Sequence, residues 1–137
     1  MRQVVRILHV ATRLAPGGAP RNIAFTLEWE LNHGHEVHLA LGSKQLPSGF
    51  PAGIHLHVVP DLVRGLNVVR DLRANRDLGV LIRRLQVDVV HTHYSKAGIL
   101  GRIAARGQTP VLVHTVHMAS FGSGYPRALS LLFRAAE

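Results

Sequence analysis

Residues 87–102, VDVVHTHYSKAGILGR, decide the fold class of this chain. Their first four residues form a short β-branched run that predicts a strand buried on both faces. A short polar loop follows, and Ser95 is placed to cap a helix that continues through Ala105. A strand that runs through a short loop into a helix is the repeating unit of a parallel α/β sheet.

The same unit recurs along the chain, so the whole sequence predicts an α/β fold. The predicted strands are residues 4–10, 35–41, 54–59, 87–90 and 110–116. The predicted helices are one that starts near Pro20 and stops at residues 32–34, and others at residues 67–86, 95–105 and 126–137. This alternation predicts right-handed crossovers and a doubly wound parallel sheet with helices on both faces. Ligands of such sheets bind outside the carboxyl ends of the strands.

Composition and charge restrict the possible partners. The chain has 137 residues, 47% of them apolar, and no cysteine, which excludes disulfides and thiolate metal sites. Sixteen Lys and Arg against eight Asp and Glu give a net charge of +8, which favours an anionic partner. A solvated arginine-rich helix within residues 64–84 explains this charge equally well. Without a signal-peptide pattern or a run of about 18 apolar residues, we expect a soluble or peripheral protein.

Gly17 and Gly18 lie at the turn between the first predicted strand and the first predicted helix. Because they lack side chains, their backbone amides can approach a ligand, and the helix N-terminus favours a phosphate or a sugar hydroxyl. The pair matches neither the spaced-glycine dinucleotide fingerprint nor a P-loop. A purely conformational role in a tight turn therefore stays open.

Histidines lie at the ends of strands that meet at one edge of the predicted sheet, and they are His9, His91, His93, His114 and His117. His91 and His93 are two residues apart and share a face of their strand. Imidazole is the commonest metal ligand, but no HExxH motif occurs and carboxylates are missing from these loops, so we expect no metal site. Each histidine can instead bond to loop backbone. We expect a substrate contact from His117 rather than His114, and surface or packing roles for His33, His35, His38, His55 and His57.

Ser95 and Lys96 follow His93 at the start of a predicted helix, and Arg102 lies further along it. A lysine beside the positive end of a helix dipole favours an anion. A solvated surface position explains Lys96 equally well.

Residues 87–102, followed by PVLVHTVH at residues 110–117, resemble the N-terminal domain of family 4 glycosyltransferases. RILHV at residues 6–10, PGGA at residues 16–19 and GHEV at residues 34–37 resemble the opening strand, the glycine-pair loop and the start of the second strand in that family. The resemblance covers essentially the whole chain, and its middle block is the most specific part.

The resemblance implies a GT-B fold, in which two Rossmann-like domains face a cleft. It implies retaining transfer of a sugar from a nucleotide sugar, without an essential metal or other cofactor. Residues 1–137 would then be an incomplete acceptor-binding domain that lacks the C-terminal nucleotide-sugar-binding domain and is inactive alone. Implied partners are a saccharide or polyprenyl-linked acceptor, a separate C-terminal chain and an anionic membrane at its cytoplasmic face. No nucleic-acid recognition motif occurs, so we expect no nucleic-acid partner.

Carried over by position, the resemblance makes His117 the catalytic histidine, in contact with the transferred sugar. Met118 follows it where the family usually has glycine. The expected substrate-binding residues are Gly17, Gly18, His91, His93, Ser95 and Lys96. The alternative hypothesis is a non-catalytic flavodoxin-like module that binds a phosphorylated ligand through its glycine loop and basic edge.

Overall fold

The computed structural model describes residues 3–109, 111–117 and 126–136. The strands in this part of the chain are β1 (Arg6–Val10), β2 (Glu36–Leu41), β3 (His55–Val58), β4 (Val89–His93) and β5 (Val111–Thr115). The helices are α1 (Gly18–Asn32), α2 (Val68–Leu85), α3 (Ser95–Ala105) and α4 (Arg127–Ala136). Each predicted strand and helix is therefore present, within a few residues of its expected bounds.

The five strands form one parallel sheet in the order β3-β2-β1-β4-β5. The chain moves outward from β1 to β2 and β3, and then crosses back to place β4 on the other side of β1. This reversal between β1 and β4 is the topological switch point at which such sheets bind ligands. The predicted Rossmann-like doubly wound sheet is confirmed.

Each face of the sheet carries its own hydrophobic core, because strands buried on both sides have apolar side chains pointing both ways. On one face, Ile23 and Leu27 of α1 pack against alternate residues of β2, from Val37 to Leu41. On the other face, α2 and α3 cover β1 and β4, and the buried residues there include Leu8, Val10, Leu78, Ile82, Val90, Ala97 and Ala104. The predicted helices on both faces are confirmed.

Two glycines let α3 lie close to the sheet. A Cβ at Gly98 would come 2.5 Å from Cε1 of His114, and a Cβ at Gly101 would come 2.6 Å from Cγ2 of Thr92. Both distances are shorter than van der Waals contact, so a side chain at either position would push the helix away from β4 and β5. The small residues of α3 thus fix the position of the loop that follows β4.

α2 is amphipathic, as its sequence predicts. Asn67 caps its N-terminus by accepting a hydrogen bond from the amide of Arg70, at 3.0 Å. Its apolar side packs into the core, whereas the arginines of the opposite side are exposed, namely Arg73, Arg76, Arg83 and Arg84. No helix within the described ranges is long and apolar enough to cross a bilayer.

The bounds near the fourth strand differ from the prediction. β4 continues through His93, so His91 and His93 do share a face. The prediction that Ser95 caps α3 is wrong: Tyr94 is the N-cap residue and Ser95 is the first residue of the helix. Strand pairing carries the extended backbone to His93 and leaves a single residue for the turn. Met118 and the rest of residues 118–125 lie outside the described part of the chain, as do Pro110 and Glu137.

Candidate functional site at the carboxyl edge of the sheet

Three strands bring histidines together at the carboxyl edge of the sheet, as predicted. In the strand register His9 of β1 lies beside His91 of β4, and their ring centroids are 4.7 Å apart. His93 stacks on His9 at 5.2 Å and on His91 at 4.3 Å. His117, two residues after β5, stacks on His93 at 5.1 Å. The cluster therefore spans the topological switch point.

Hydrogen bonds connect part of this cluster into a chain that begins at a carboxylate. Oε2 of Glu30, in α1, lies 2.8 Å from Nε2 of His9. Nδ1 of His9 lies 2.8 Å from Nε2 of His93, and Nδ1 of His93 lies 3.0 Å from Nε2 of His117. Glu30, His9 and His93 are buried, whereas His117 is partly exposed. We call Glu30, His9, His93 and His117 the rim histidine chain.

Burial keeps several of these imidazoles neutral near pH 7. Desolvation, reinforced by neighbouring histidines, lowers the pKa of His93 far below its ordinary value and that of His91 to about 4. Desolvation, together with His114, also lowers the pKa of His117. A neutral imidazole has one N–H donor and one nitrogen acceptor, so a ring that donates through one nitrogen accepts through the other.

Glu30 is part of the site although the sequence analysis did not single it out. It follows Ile23 and Leu27 by seven and three residues, so it lies on the buried stripe of α1. A carboxylate at an apolar position of a helix is a signal for a buried polar contact, since an unpaired buried charge is costly. That signal could have paired Glu30 with a histidine of the adjacent strand.

The ring nitrogens of His9, His91 and His93 lie within 4.8 Å of one another, a spacing that could hold a metal ion. Both nitrogens of His9 and both of His93 are engaged in the rim histidine chain. Nε2 of His91 is hydrogen-bonded to Oγ1 of Thr115 at 2.7 Å. A metal would have to break these bonds, so the geometry favours a hydrogen-bonded cluster, and the absence of a metal stays a prediction.

The glycine pair starts α1 at the same edge of the sheet, after the loop of residues 11–16 that follows β1. Gly17 is the N-cap residue with φ 156° and ψ −170°, a backbone region that is essentially restricted to glycine. No side chain caps this helix end, and a Cβ on Gly18 would meet no atom within 4 Å. The backbone amides at the start of α1 are therefore accessible to a ligand.

Lys96 is held by a different part of the molecule. Its Nζ lies 2.6 Å from Oδ1 of Asp71 in α2 and also donates to the carbonyl of Gly65. The side chain is largely buried, so the alternative of a solvated surface lysine is wrong. The structure does not bring its ammonium group into the rim histidine chain, whereas Ser95, also buried, starts the helix beside His93.

Tyr94 is a residue of the site that sequence reasoning missed. Its backbone has φ 66° and ψ 157°, a conformation that costs a non-glycine residue about 1 to 3 kcal/mol. Its ring lies 5.2 Å from the ring of His117, and burial raises the pKa of its hydroxyl. Strain of this kind clusters at functional sites, and nothing in the sequence pattern signals it.

Histidines assigned to surface or packing roles form a second cluster. Nδ1 of His38 lies 3.1 Å from Nε2 of His57, and Nε2 of His38 lies 3.0 Å from Oε1 of Glu36. We call Glu36, His38 and His57 the edge histidine chain. His114 is bonded to Thr92 Oγ1 at 2.9 Å and packs against Gly98, in agreement with its expected position deep in the strand.

Comparisons with known proteins agree with this architecture. The sequence model of the family Glycosyltransferase Family 4 matches residues 7–137 of this chain. The Escherichia coli UDP-Gal:alpha-D-GlcNAc-diphosphoundecaprenol alpha-1,3-galactosyltransferase is 32% identical in an alignment of 135 residues that covers 97% of this chain and 35% of that protein. A glycosyltransferase from Rickettsia africae ESF-5 superposes with a TM-score of 0.70 at 17% identity, over 90% of this chain and 32% of that one.

The calicheamicin glycosyltransferase CalG4 superposes with a TM-score of 0.59 at 17% identity, over 99% of this chain and 36% of that one. These two structures share the fold. The chain spans about a third of the length of the proteins it matches. The match to the family model covers nearly the whole chain, so the resemblance noted in the sequence is confirmed. The chain belongs to Glycosyltransferase Family 4.

Proposed function

We propose that residues 1–137 form the acceptor-side, N-terminal domain of a retaining glycosyltransferase. The enzyme would transfer a sugar from a nucleotide-sugar donor to a saccharide or lipid-linked acceptor, and a C-terminal domain would supply the rest of the donor site. The observation that carries the proposal is the rim histidine chain, which crosses the switch point of a family 4 sheet from His9 to His93 and ends at His117.

The chemistry of this edge suits a ligand rich in hydroxyl groups. Neutral imidazoles form hydrogen bonds with hydroxyls, whereas a free phosphate would be better served by a cation. Lys96 is paired with Asp71, so its charge is already compensated. We assign contact with the transferred sugar to His117, and contact with the donor phosphates to the amides after Gly17. His93 acts through His117, because both of its ring nitrogens are used within the protein.

We propose that the acceptor is lipid-linked and that the protein binds a membrane peripherally from the cytoplasmic side. The E. coli relative acts, by its name, on a diphosphoundecaprenol-linked acceptor. Around the start of α2, large apolar side chains are exposed beside exposed arginines: Arg64, Leu66, Val68, Val69, Leu72 and Arg73. Such apolar side chains enter the headgroup region of a bilayer. Each arginine near the surface contributes about 1 kcal/mol by attracting anionic lipids.

A chimaera tests the proposal. In it, this chain replaces the matching third of the E. coli galactosyltransferase, and we measure transfer from UDP-galactose to the diphosphoundecaprenol-linked acceptor. We expect His117→Ala to lower kcat about 100-fold or more, as when a group acting on the transition state is removed. His55→Ala, an exposed position of β3, is the matched control and should change kcat less than about 2-fold.

Two outcomes would contradict the proposal. Unchanged transfer by the His117→Ala chimaera would remove His117 from the site. Turnover by residues 1–137 alone at about 1 per second or faster would show that no further domain is needed. Tight binding of a nucleotide or a polyprenyl phosphate by the isolated chain, with an inactive chimaera, would instead favour the phosphate-binding module.

A further inference from the structure

We infer that Glu30 sets the direction of every hydrogen bond in the rim histidine chain, so that His117 presents Nδ1 to its ligand as an acceptor for a hydroxyl proton. Glu30 is thus a positioning residue, two imidazoles away from the residue it orients. The inference about direction stands on these contacts between neutral imidazoles, and the identity of the hydroxyl as one of a sugar rests on the proposed function.

The direction follows from what each group can do. A carboxylate only accepts hydrogen bonds, so Nε2 of His9 must donate to Oε2 of Glu30. In a neutral His9, Nδ1 is then the acceptor of a hydrogen bond from the Nε2–H of His93. Nδ1 of His93 accepts in turn from Nε2 of His117. Nε2 of His117 is the nitrogen that donates within the rim histidine chain, so Nδ1 of His117 carries a lone pair.

Burial makes this order strict. Glu30, His9 and His93 are all buried, so water does not compete for their hydrogen bonds. With all three rings neutral, reversing any one bond would leave two donors or two acceptors facing each other in the core, at a cost of about 1 to 3 kcal/mol. The depressed pKa of His93 keeps its ring neutral. The ring then has one donor and one acceptor, so a donor at Nε2 requires an acceptor at Nδ1.

The order selects the chemistry of the ligand. A lone pair on Nδ1 of His117 accepts from a hydroxyl or an amide, and it repels a phosphate oxygen, which is also an acceptor. The ring of Tyr94 lies beside the same ring, tilted by 45° with the centroids 5.2 Å apart. An isolated histidine can bind either a donor or an acceptor. The rim histidine chain therefore makes His117 prefer a donor, such as a hydroxyl group.

Nuclear magnetic resonance of the 15N-histidine-labelled chain tests the inference without any substrate. In the wild-type chain we expect His9, His93 and His117 each to carry the proton on Nε2. Glutamine can donate as well as accept, so Glu30→Gln permits both directions. The Nδ1 resonance of His117 should then move toward the position of a protonated nitrogen. Glu36→Gln, which alters the carboxylate next to His38, is the matched control and should leave His117 unchanged.

Either of two results would overturn the inference. One is a wild-type spectrum in which Nδ1 of His117 carries the proton. This measurement needs no variant, so it tests the inference even if Glu30→Gln fails to fold. The other is a folded Glu30→Gln chain in which the Nδ1 resonance of His117 does not move, as expected if Glu30 only fastens α1 to the sheet. Because no transfer is measured, failure here is distinct from failure of the chimaera.

Discussion

The rim and edge histidine chains use the same chemistry in two different environments. Each joins a glutamate to imidazoles through hydrogen bonds of 2.8 to 3.1 Å. The side chain of Glu30 is 10% exposed, whereas that of Glu36 is 39% exposed and also pairs with Arg6 at 3.2 Å. Water and Arg6 can replace the contacts of Glu36, whereas the contacts of Glu30 have no substitute. Burial, rather than residue type, therefore separates the two histidine chains.

The largest expected difference between the chains is in stability. Glu30→Ala leaves the buried N–H of His9 without an acceptor, which should lower the free energy of unfolding by about 2 to 3 kcal/mol. Glu36→Ala removes a solvent-screened contact and should cost about 0.5 kcal/mol or less. Urea denaturation of both variants gives the comparison. Equal losses would show that burial does not separate the two chains.

The second difference is in sensitivity to acid. The pKa of His91, which packs beside the rim histidine chain, is lowered from 6.5 to about 4 mainly by burial. Its neutral form therefore stabilises the fold above pH 6.5, and this contribution is lost as the pH falls toward 4. Linkage gives a loss of at most about 2 kcal/mol between pH 6.5 and 5, and screening reduces it to about 1 kcal/mol.

Urea denaturation at the two pH values checks this loss. His91→Gln should lower the loss measured in the wild type by about 1 kcal/mol, and the other buried histidines, such as His93, keep their share of it. His57→Gln in the edge histidine chain, where burial lowers the pKa less, should change the slope of stability with pH by a smaller amount. A slope that His91→Gln leaves as steep as in the wild type would contradict the assignment.

The smallest expected effect concerns salt. Arg6→Gln removes the ion pair with Glu36, in which both side chains are more than a third exposed. We expect a cost of about 0.5 kcal/mol or less at low ionic strength, and none near 1 M salt, because the Debye length is then about 3 Å. A cost that persists in high salt would mean that the edge histidine chain is better shielded from solvent than its exposure indicates.

The sequence was sufficient for the fold and for the place of the histidine cluster. Short β-branched runs between glycine, proline and capping residues predicted the alternating elements, and the ends of parallel strands predicted where His9, His93 and His117 would meet. These inferences need only local patterns and a rule of topology. The match at residues 87–102 added the family.

The partners of the site residues could not be predicted from such patterns. Lys96 pairs with Asp71 only because α2 and α3 pack against each other, and 25 residues separate the two in sequence. The positive φ of Tyr94 depends on the lengths of β4 and α3 on either side of it. Glu30 was within reach of the sequence, since it occupies a buried position of an amphipathic helix, but its partner depends on the strand order.

The pairing of β1 with β4 also has a consequence for the order of folding. Ile7 pairs with Val89, so the chain must close a loop of about eighty residues before His9 can meet His93. Pairing between β1 and β2, with Ile7 beside Val37, spans a far shorter stretch. Because long loops close more slowly than short ones, the first two strands and α1 can associate early, and the histidine cluster forms late. During synthesis on the ribosome, a nascent chain that ends before β4 cannot form the histidine cluster.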